Sequence, residues 1–355
     1  MRNIADKENV TMSRRVLTFG EVMLRLSSPG YTKLFQSEKF DLCFGGSEAN
    51  VAVSLAEFGV DTQFLTVLPK NDIGDEVNRR FRYFGVDTRK IIFAEGRMGI
   101  YFLEKGASQR SSKVIYDRNY SAFSLAARGL FNWKEIFKDI EWFHFSGINL
   151  ALSDNLVEIC KDAVIEAKEM GITISCDINY RKNLWSSQEK AKDIISGIMP
   201  FVDVCIANEE DVVKFLGIEF NNSNYEKGEI NTSFYEMAAT EICSVYGCCK
   251  VAITLRESYS ASKNGWMALL FDARDKNIYY SHKYEIQLVD RIGSGDSFDA
   301  GLIYSLICNR ENQYAVDFAA AASCLKQTIE GDFNRVSAKE VENLMKSGGN
   351  GRVIR

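Results

Sequence analysis

Short apolar segments of β type alternate with amphipathic segments of helical type along most of the 355 residues, and this alternation restricts the fold more than any other feature of the sequence. Three segments are largely apolar, as is typical of parallel strands that helices cover on both faces: ITISCD (172–177), VDVCIA (202–207) and KVAITL (250–255). The segment at 153–171 has helical periodicity, a serine at its N-cap position and a glycine at its end. The alternation predicts an α/β fold with a central, mostly parallel sheet flanked by helices.

Two regions break this rhythm: 97–122 resembles two strands that are joined by a polar loop with no helix between them, and 33–46 ends in a further strand. Extra strands of this kind form either an edge hairpin or a small β lid over a ligand site, and the pattern alone favours neither. We expect one α/β domain over 14–346. The two ends of the chain predict a flexible N-terminal extension at 1–13 and a flexible tail at 347–355.

Charge and composition exclude several classes of function. The formal net charge is −5, whereas nucleic-acid and membrane-surface binders usually carry basic patches. No segment is apolar for the ~18 residues that a membrane span needs, and the N-terminus lacks the apolar core of an export signal. The nine cysteines include no C-x-x-C pair and are accompanied by only two histidines, which disfavours a zinc site. We therefore expect a cytoplasmic protein with reduced thiols and no nucleic-acid or membrane partner.

The segment DRIGSGDSFDAGLIY (290–304) places an acid directly behind a Gly-Ser-Gly turn and ahead of an apolar helical run. Gly293 and Gly295 allow a tight turn and the close approach of another molecule. Free N–H groups at the start of the following helix stabilise negative charge such as that of a phosphate. The carboxylate of Asp296 is then either a simple N-cap or a general base beside an anion-binding turn, ready to take a proton from a hydroxyl.

Other phosphate-binding motifs do not occur in the sequence. A dinucleotide-binding G-x-G-x-x-G would need Gly or Ala where Phe298 stands, and a P-loop needs a Gly-Lys pair, which the chain lacks. The His-Arg-Asp set of protein kinases is also missing. Phosphate chemistry in this chain would therefore depend on the turn at 293–296.

Four motifs occur in the order found in the ribokinase-like (PfkB) sugar kinases, and the resemblance extends over about 14–345. They are FGGSEANVAVSLAEFG (44–59), DINYR (177–181), NEED (208–211) and DRIGSGDSFDAGLIY. The resemblance implies a three-layer, ribokinase-like fold with a small β lid, whose strands would lie within 33–46 and 97–122. Since such lids often pair between subunits, it also implies a homodimer or a higher homo-oligomer.

The same resemblance implies a catalytic machinery. Asp296 would be the base, ATP and Mg²⁺ would be the cofactors, and a monovalent cation is a further option. The residues implied at the phosphates and the nucleotide are Asn179, Thr254, Gly293, Ser294 and Gly295. Two residues of NEED, Asn208 and Asp211, would help to organise Mg²⁺ indirectly.

Within the family, four segments most resemble the kinases of sugar acids such as 2-keto-3-deoxygluconate: GEVMLRLSSPG (20–30), GIYF (99–102), YDRNYSA (116–122) and TLRESYSASKNGW (254–266). The residues thereby implied at the substrate are Gly45, Gly46, Asn50, Tyr101, Tyr116, Arg118, Arg181, Asp296 and Asp332. Arg118 and Arg181 would meet the substrate carboxylate, which a planar guanidinium pairs in bidentate fashion. Without the motifs, the two arginines are weak evidence, because most arginines are solvated surface charges.

Some residues depart from the family pattern. Asp211 stands where the family has Glu, Arg291 where many members have Thr, and Ser294 where Ala is common. None of these changes removes the base or the anion-binding turn. Other functions stay open, namely a kinase of the galactonate epimer, of a fructose-like ketose or of a nucleoside, and a non-catalytic sugar-acid sensor on the same scaffold.

Overall fold

The computed structural model of the protein describes residues 14–216 and 232–348. The predictions of flexibility for 1–13 and for most of the tail, 349–355, lie outside the described residues. The last helix ends at Ser347, one residue beyond the predicted end of the domain, and Gly348 follows it in a left-handed conformation with φ +60°.

Within the described ranges the chain forms fifteen β-strands and eleven α-helices. In chain order the strands are β1 (Arg15–Phe19), β2 (Met23–Ser27), β3 (Asp41–Gly45), β4 (Asp61–Leu65), β5 (Val67–Pro69), β6 (Ile92–Ala94), β7 (Gly99–Glu104), β8 (Lys113–Asp117), β9 (Trp142–Ser146), β10 (Thr173–Asp177), β11 (Val204–Asn208), β12 (Lys250–Ser260), β13 (Lys263–Asp272), β14 (Asn277–Tyr280) and β15 (Tyr284–Gln287). The helices are α1 (Ser47–Glu57), α2 (Asp72–Tyr83), α3 (Trp133–Ile136), α4 (Gly147–Leu152), α5 (Asp154–Glu169), α6 (Gln188–Ile198), α7 (Glu209–Leu216), α8 (Thr232–Tyr246), α9 (Ser294–Ile307), α10 (Asn312–Lys326) and α11 (Ala338–Ser347).

Nine of the strands form the central sheet, in the spatial order β14-β13-β12-β11-β10-β9-β1-β4, with β15 paired to β13. The strands from β4 to β12 in this order run parallel, and β13, β14 and β15 add antiparallel pairs at one edge. The three apolar segments of the sequence are β10, β11 and β12, so the prediction of a mostly parallel sheet is confirmed.

Helices cover both faces of this sheet. Along β12, Val251 and Ile253 belong to the core shared with α5, α6 and α8, whereas Ala252, between them, belongs to the core shared with α1, α9 and α10. Successive strand residues point to opposite faces, so both faces are buried and the strand has no polar side in this stretch. The predicted three-layer, ribokinase-like α/β fold is therefore confirmed.

A second, four-stranded sheet has the order β3-β2-β7-β8 and is called the lid sheet below. Strands β3, β7 and β8 lie within the two regions that were predicted to supply extra strands, and β7 and β8 form an antiparallel hairpin. The prediction omitted β2, which pairs with both β3 and β7 in the middle of the sheet. Its sequence, MLRLS, follows β1 after only three residues, so it resembles a continuation of that strand.

All nine cysteines lie in the described ranges and carry free thiols, six of them buried and three partly buried. Burial raises the pKa of the Cys160, Cys176 and Cys205 thiols above the ordinary value. None of the helices described in 14–216 and 232–348 combines the length and the apolar character that crossing a membrane requires.

Candidate active site

A cavity of about 500 Å³ opens where the carboxyl ends of the parallel strands meet the lid sheet. Asp177 at the end of β10, Asn208 at the end of β11 and Thr254 in β12 line it from the central sheet, and Tyr101 lines it from the lid sheet. Ligands of open α/β sheets bind at this end of the strands, because the loops that follow them converge there. The topology thus brings together motifs that are up to about 250 residues apart in sequence, from Gly46 to Asp296.

The Gly-Ser-Gly turn forms one wall of the cavity and leads directly into α9. Gly293 is the residue before the helix and has φ +79°, in the left-handed region that favours glycine. A Cβ added there would stand 2.2 Å from the carbonyl oxygen of Asp332, whereas a Cβ on Gly295 would meet nothing within 4 Å. The first N–H groups of a helix have no partner inside it, so this wall is suited to hold an anion.

Asp296 lies in the first turn of α9 but does not cap it, because the N-cap position belongs to Gly293. Its Oδ2 accepts a hydrogen bond from Nδ2 of Asn50 at 2.6 Å, and its Oδ1 accepts one from Oγ of Ser47 at 3.0 Å. Burial raises its pKa to about 6, against the opposing effect of these two hydrogen bonds. A carboxylate with that pKa is ionised at neutral pH yet close enough to neutrality to accept a proton, as general-base chemistry requires.

Two more acids lie beside Asp296, and the sequence analysis assigned no role to either. Asp177 accepts hydrogen bonds from the backbone N–H and from Nδ2 of Asn179, at 3.1 and 2.9 Å. Asp299 lies one turn further along α9, and one of its oxygens is buried without a hydrogen-bond partner. Burial raises the pKa of Asp177 and of Asp299 well above the ordinary value. Asn179, with φ +45°, also donates to Oγ of Ser47, so it connects this acidic wall to Asp296.

The two residues implied for Mg²⁺ occupy different environments. Asn208 lines the cavity, but Asp211 does not: it is fully buried and accepts the backbone N–H groups of Tyr180 and Asn208 at 2.8 and 3.0 Å. The Asp211 side chain, shorter than the Glu of the family pattern, therefore links the segment after β10 to the end of β11 by hydrogen bonds. Glu209, which the sequence analysis passed over, lines the cavity and has a pKa that burial raises to about 7.

The residues that line the cavity are better suited to bind Mg²⁺ together with a nucleotide than to bind a metal ion by protein ligands alone. In 14–216 and 232–348, no three His, Cys, Asp or Glu side chains converge as a metal site. Mg²⁺ commonly keeps several waters and takes only one or two carboxylates beside the phosphates of a nucleotide. The glycine-lined turn would hold those phosphates, with Glu209 and Glu210 at the same cavity.

On the lid side, Tyr101 and Asp332 meet in a buried cluster. The Tyr101 hydroxyl donates to Asp332 Oδ2 at 2.5 Å, and Nη1 of Arg25 donates to Asp332 Oδ1 at 2.6 Å. Asp332 lines the cavity, whereas Gly45 lies behind Asp332. The Cα of Gly45 is so close to Asp332 that an added Cβ would stand 1.8 Å from a carboxylate oxygen. Gly46 does line the cavity and packs in the same way against the carbonyl of Glu21. Arg25 was not among the site residues predicted from the sequence.

The two predicted carboxylate-binding arginines differ in their surroundings. Arg118 is buried, and its Nε and Nη2 both donate to Oε2 of Glu21, the former at 2.8 Å. Arg181 lines the cavity, is exposed, and belongs to none of the ion pairs of the described residues. Glu21 was not predicted as a site residue, although it is the second residue of the quoted segment GEVMLRLSSPG (20–30). Its Oε1 is buried and has no hydrogen-bond partner.

Of the predicted site residues, the structure brings most to this one cavity and places Gly45 and Asp211 behind its wall. Those that line it are Gly46, Asn50, Tyr101, Tyr116, Arg118, Asn179, Arg181, Asn208, Thr254, Gly293, Ser294, Gly295, Asp296 and Asp332. Tyr116 is half exposed, with the Arg118 guanidinium 5.7 Å from the centre of its ring. The roles assigned to these residues stay predictions, whereas their convergence is a property of the fold.

Several known proteins resemble this chain in sequence or in structure. A 2-dehydro-3-deoxygalactonokinase of Haloferax volcanii is 30% identical over 337 residues, which are 95% of this chain and 98% of that protein. Fructokinase-1 of Oryza sativa subsp. japonica is 25% identical over 94% of this chain and 98% of that protein. The crystal structure of 2-dehydro-3-deoxygluconokinase from Thermotoga maritima is 47% identical, with a TM-score of 0.89 over 94% of this chain and 100% of that one.

The family model described as pfkB family carbohydrate kinase matches residues 13–233. That range includes the lid sheet, α1 with Asn50, and the DINYR and NEED motifs. The remaining motif, at 290–304, completes the same cavity. The protein belongs to the pfkB family of carbohydrate kinases.

Proposed function

We propose that the protein transfers the γ-phosphoryl group of ATP to the primary hydroxyl O6 of 2-keto-3-deoxygluconate, also called 2-dehydro-3-deoxygluconate, to give 2-keto-3-deoxy-6-phosphogluconate. The observation that carries the proposal is Asp296, a carboxylate with a raised pKa, beside the anion-binding turn and in the same cavity as the unpaired Arg181. The 47% identical Thermotoga maritima enzyme, named for the gluconate substrate, supports the choice of sugar acid.

The residues of the chain supply a base and an anion hole. Asp296 takes the proton of the acceptor hydroxyl while the oxygen forms its bond to phosphorus and ADP leaves with the electrons of the broken P–O bond. Asn50 and Ser47 fix the carboxylate by their hydrogen bonds. The N–H groups at the start of α9 hold the charge that develops on the transferring group. When bound with ATP, Mg²⁺ neutralises charge on the phosphates.

On the substrate side, Arg181 would pair the carboxylate of the sugar acid, and Arg118 would contribute from the opposite side, held by Glu21. The unpartnered Oε1 of Glu21 would accept a hydrogen bond from a substrate hydroxyl, because a buried carboxylate oxygen is costly to leave without a donor. Asn179 and Thr254 would border the nucleotide.

We also propose a cytoplasmic location, supported by the free thiols, and a homodimer or higher homo-oligomer formed through the lid sheet. Exposed apolar side chains on and next to that sheet support the pairing: Phe35 (78% exposed), Leu42 (57%), Ile115 (39%) and Tyr120 (74%). A patch of this kind is typical of surfaces that a partner covers.

ADP release from ATP, Mg²⁺ and a panel of acceptors tests the proposed function. The panel contains 2-keto-3-deoxygluconate, its galactonate epimer, gluconate, fructose, ribose and adenosine. We expect saturable turnover with the keto-deoxy acids and little with the neutral compounds. Preference for a neutral sugar would leave Asp296 as the base but contradict the carboxylate-binding site. Sugar-acid binding in a calorimeter without turnover would favour a sensor.

Arg181→Ala should raise the KM for the keto-deoxy acid by about 10-fold or more while kcat changes little, because a hydrogen bond to a charged group is worth about 1.5–3 kcal/mol. The KM for any neutral sugar that is turned over should stay nearly constant. Initial-rate kinetics on both substrates measure this. Arg128→Ala removes an exposed arginine side chain that is paired with Asp162 of α5, outside the cavity lining, and serves as the control. An equal effect of Arg181→Ala on acid and neutral sugar would contradict the assigned contact.

A further inference from the structure

Lys326, the last residue of α10, is fully buried, and the proposed mechanism gives it no role. Its ammonium group donates to two backbone carbonyl oxygens, that of Asp290 at 3.5 Å and that of Ile329 at 3.3 Å. No ion pair found among the described residues includes it. Lysines are rarely buried without a carboxylate partner, because removing an ammonium group from water is costly. Its position therefore needs an explanation.

The ammonium lies directly behind the anion-binding turn. A Cβ on Gly293 would stand 3.3 Å from Cε of Lys326, so the lysine side chain touches the back of the residue that precedes α9. One of its two acceptors, Asp290, opens the same turn. The cavity lies on the other side of this thin layer of backbone.

The end of α10 and the turn are fastened together by further hydrogen bonds. Oγ of Ser323 donates to the carbonyl of Ser294 at 2.7 Å, and the backbone N–H of Val289 donates to the carbonyl of Gln327 at 2.9 Å. Lys326 lies between these two attachments along the chain. Its charge is thus held at a fixed position relative to the N–H groups that would receive the phosphoryl group.

The two carboxylates near Lys326 are already paired with another cation, so the lysine forms no salt bridge with them. The carboxylates of Asp290 and Asp332 both bind Arg25, at 2.5 and 2.6 Å. Two cations and two carboxylates thus form one buried cluster, in which Arg25 takes the carboxylate oxygens and Lys326 takes the carbonyl oxygens. Backbone carbonyl oxygens around a compact cation are also the means by which proteins hold K⁺.

We propose that the Lys326 ammonium group is a built-in monovalent cation of the phosphoryl-transfer site, so that turnover requires no added K⁺ or related ion. It would hold the carbonyl-lined back of the turn in place and add positive charge behind the anion hole, where such charge stabilises the transferring group. The proposal rests on the proposed function of the turn at 293–296. It replaces the monovalent-cation cofactor that the family resemblance left as an option.

The first test exchanges K⁺ for tetramethylammonium at constant ionic strength. The turnover rate and the Tm of the wild-type protein should not respond to this exchange. Lys326→Ala should lose about 10-fold or more in kcat, as expected when a group that stabilises the transferring charge is removed. K⁺ or NH₄⁺, which the two carbonyl oxygens could accept in place of the ammonium group, should restore part of this loss, whereas tetramethylammonium should not. Lys326→Met, which fills the space without charge, should lose turnover without rescue.

Thermal unfolding supplies a readout that needs no turnover. Since an ion that binds only the folded state stabilises it, K⁺ should raise the Tm of Lys326→Ala but not that of the wild type. Lys250→Ala is the matched control, because Lys250 is largely buried but pairs with Asp272 at the far end of β12. That variant should lose stability and show no response to K⁺.

A wild-type enzyme that requires K⁺, or a folded Lys326→Ala that ignores K⁺ in both assays, would overturn the proposal. If Lys326→Ala does not fold, the response of the wild-type turnover to K⁺ and the turnover of Lys326→Met still test the proposal. A wild type that is silent with every acceptor would remove the proposed function, while the Tm response to K⁺ would still test the cation site.

Discussion

Asp296→Asn is expected to lower kcat by about 10²-fold or more, since a positioned general base contributes about 10²–10⁴-fold. The amide keeps the size of the carboxylate and can still accept one of the hydrogen bonds from Asn50 and Ser47, so folding and sugar binding should be largely retained. Steady-state kinetics, calorimetric titration with the sugar acid and a thermal melt measure the three properties. Near-normal turnover would contradict the role of Asp296 as the base.

The pH dependence of kcat/KM provides the matching control. Because burial raises the pKa of Asp296 to about 6, the wild-type enzyme should gain activity as pH rises through about 6 and lose it below, where the carboxyl group is protonated. Asp296→Asn should lack this limb. The same burial makes ionised Asp296 a cost to stability, because the folded state holds the proton more tightly than the unfolded state does; this cost develops as pH rises from 3.8 to about 6 and is complete above that range. The variant should therefore be at least as stable as the wild type at pH 7.

Much of the fold could be predicted from the sequence because its main determinants are local. An apolar strand such as β11, buried along most of its length, and a helix such as α5, with its Ser153 N-cap, each carry a pattern that neighbouring residues impose. Strand β2 was not predicted because MLRLS is largely apolar and follows β1 after only three residues, so it resembles a continuation of that strand. Its place in the lid sheet depends on pairing with Phe44 and Ile100, which are far away along the chain.

The site residues also divide into those that a local motif identifies and those that depend on distant partners. Asp296 and its glycines form one short motif, so a sequence pattern identifies them. Glu21, Arg25 and Lys326 act through partners that the fold supplies: Arg118 for the first, Asp290 and Asp332 for the second, and two backbone carbonyls for the third. A lone Glu, Arg or Lys is usually a solvated surface charge, so only burial shows that these three are not.

Among the described residues, Arg118 is paired with a carboxylate and Arg181 is not, and this difference has a consequence for substrate specificity. Because Arg118 is paired with Glu21, the charge that would separate an acid from a neutral sugar in the proposed function rests mainly on Arg181, which lies in the DINYR motif. The Glu21–Arg118 pair leaves one hydrogen-bond acceptor, Oε1 of Glu21, and the guanidinium N–H groups that do not donate to Glu21. Such groups suit the hydroxyl groups that all sugars carry.

Gly293→Ala is expected to lower kcat by about 10²-fold or more, the loss seen when one donor of an anion hole is displaced. Two costs combine at this position. An alanine at φ +79° carries the left-handed strain of about 1–2 kcal/mol, and its Cβ would stand 2.2 Å from the Asp332 carbonyl, so the turn or the loop at Asp332 must shift. A shift of the turn displaces the first N–H groups of α9 from the transferring group, and a shift of the loop displaces Asp332 from the wall of the cavity.

Gly171→Ala separates these costs, because Gly171 has φ +72° but a Cβ there would meet nothing within 4 Å. It follows α5, remote from the cavity, and should lose stability from strain alone while kcat stays at the wild-type value. Gly293→Ala should lose more stability than this control and nearly all of its turnover. If the two variants lost equal stability and both kept their kcat, the close approach of Asp332 to the turn would have no part in building the anion hole. A selective loss in Gly293→Ala would instead tie catalysis to the one backbone position where the turn, Lys326 and the Asp332 loop are all in contact.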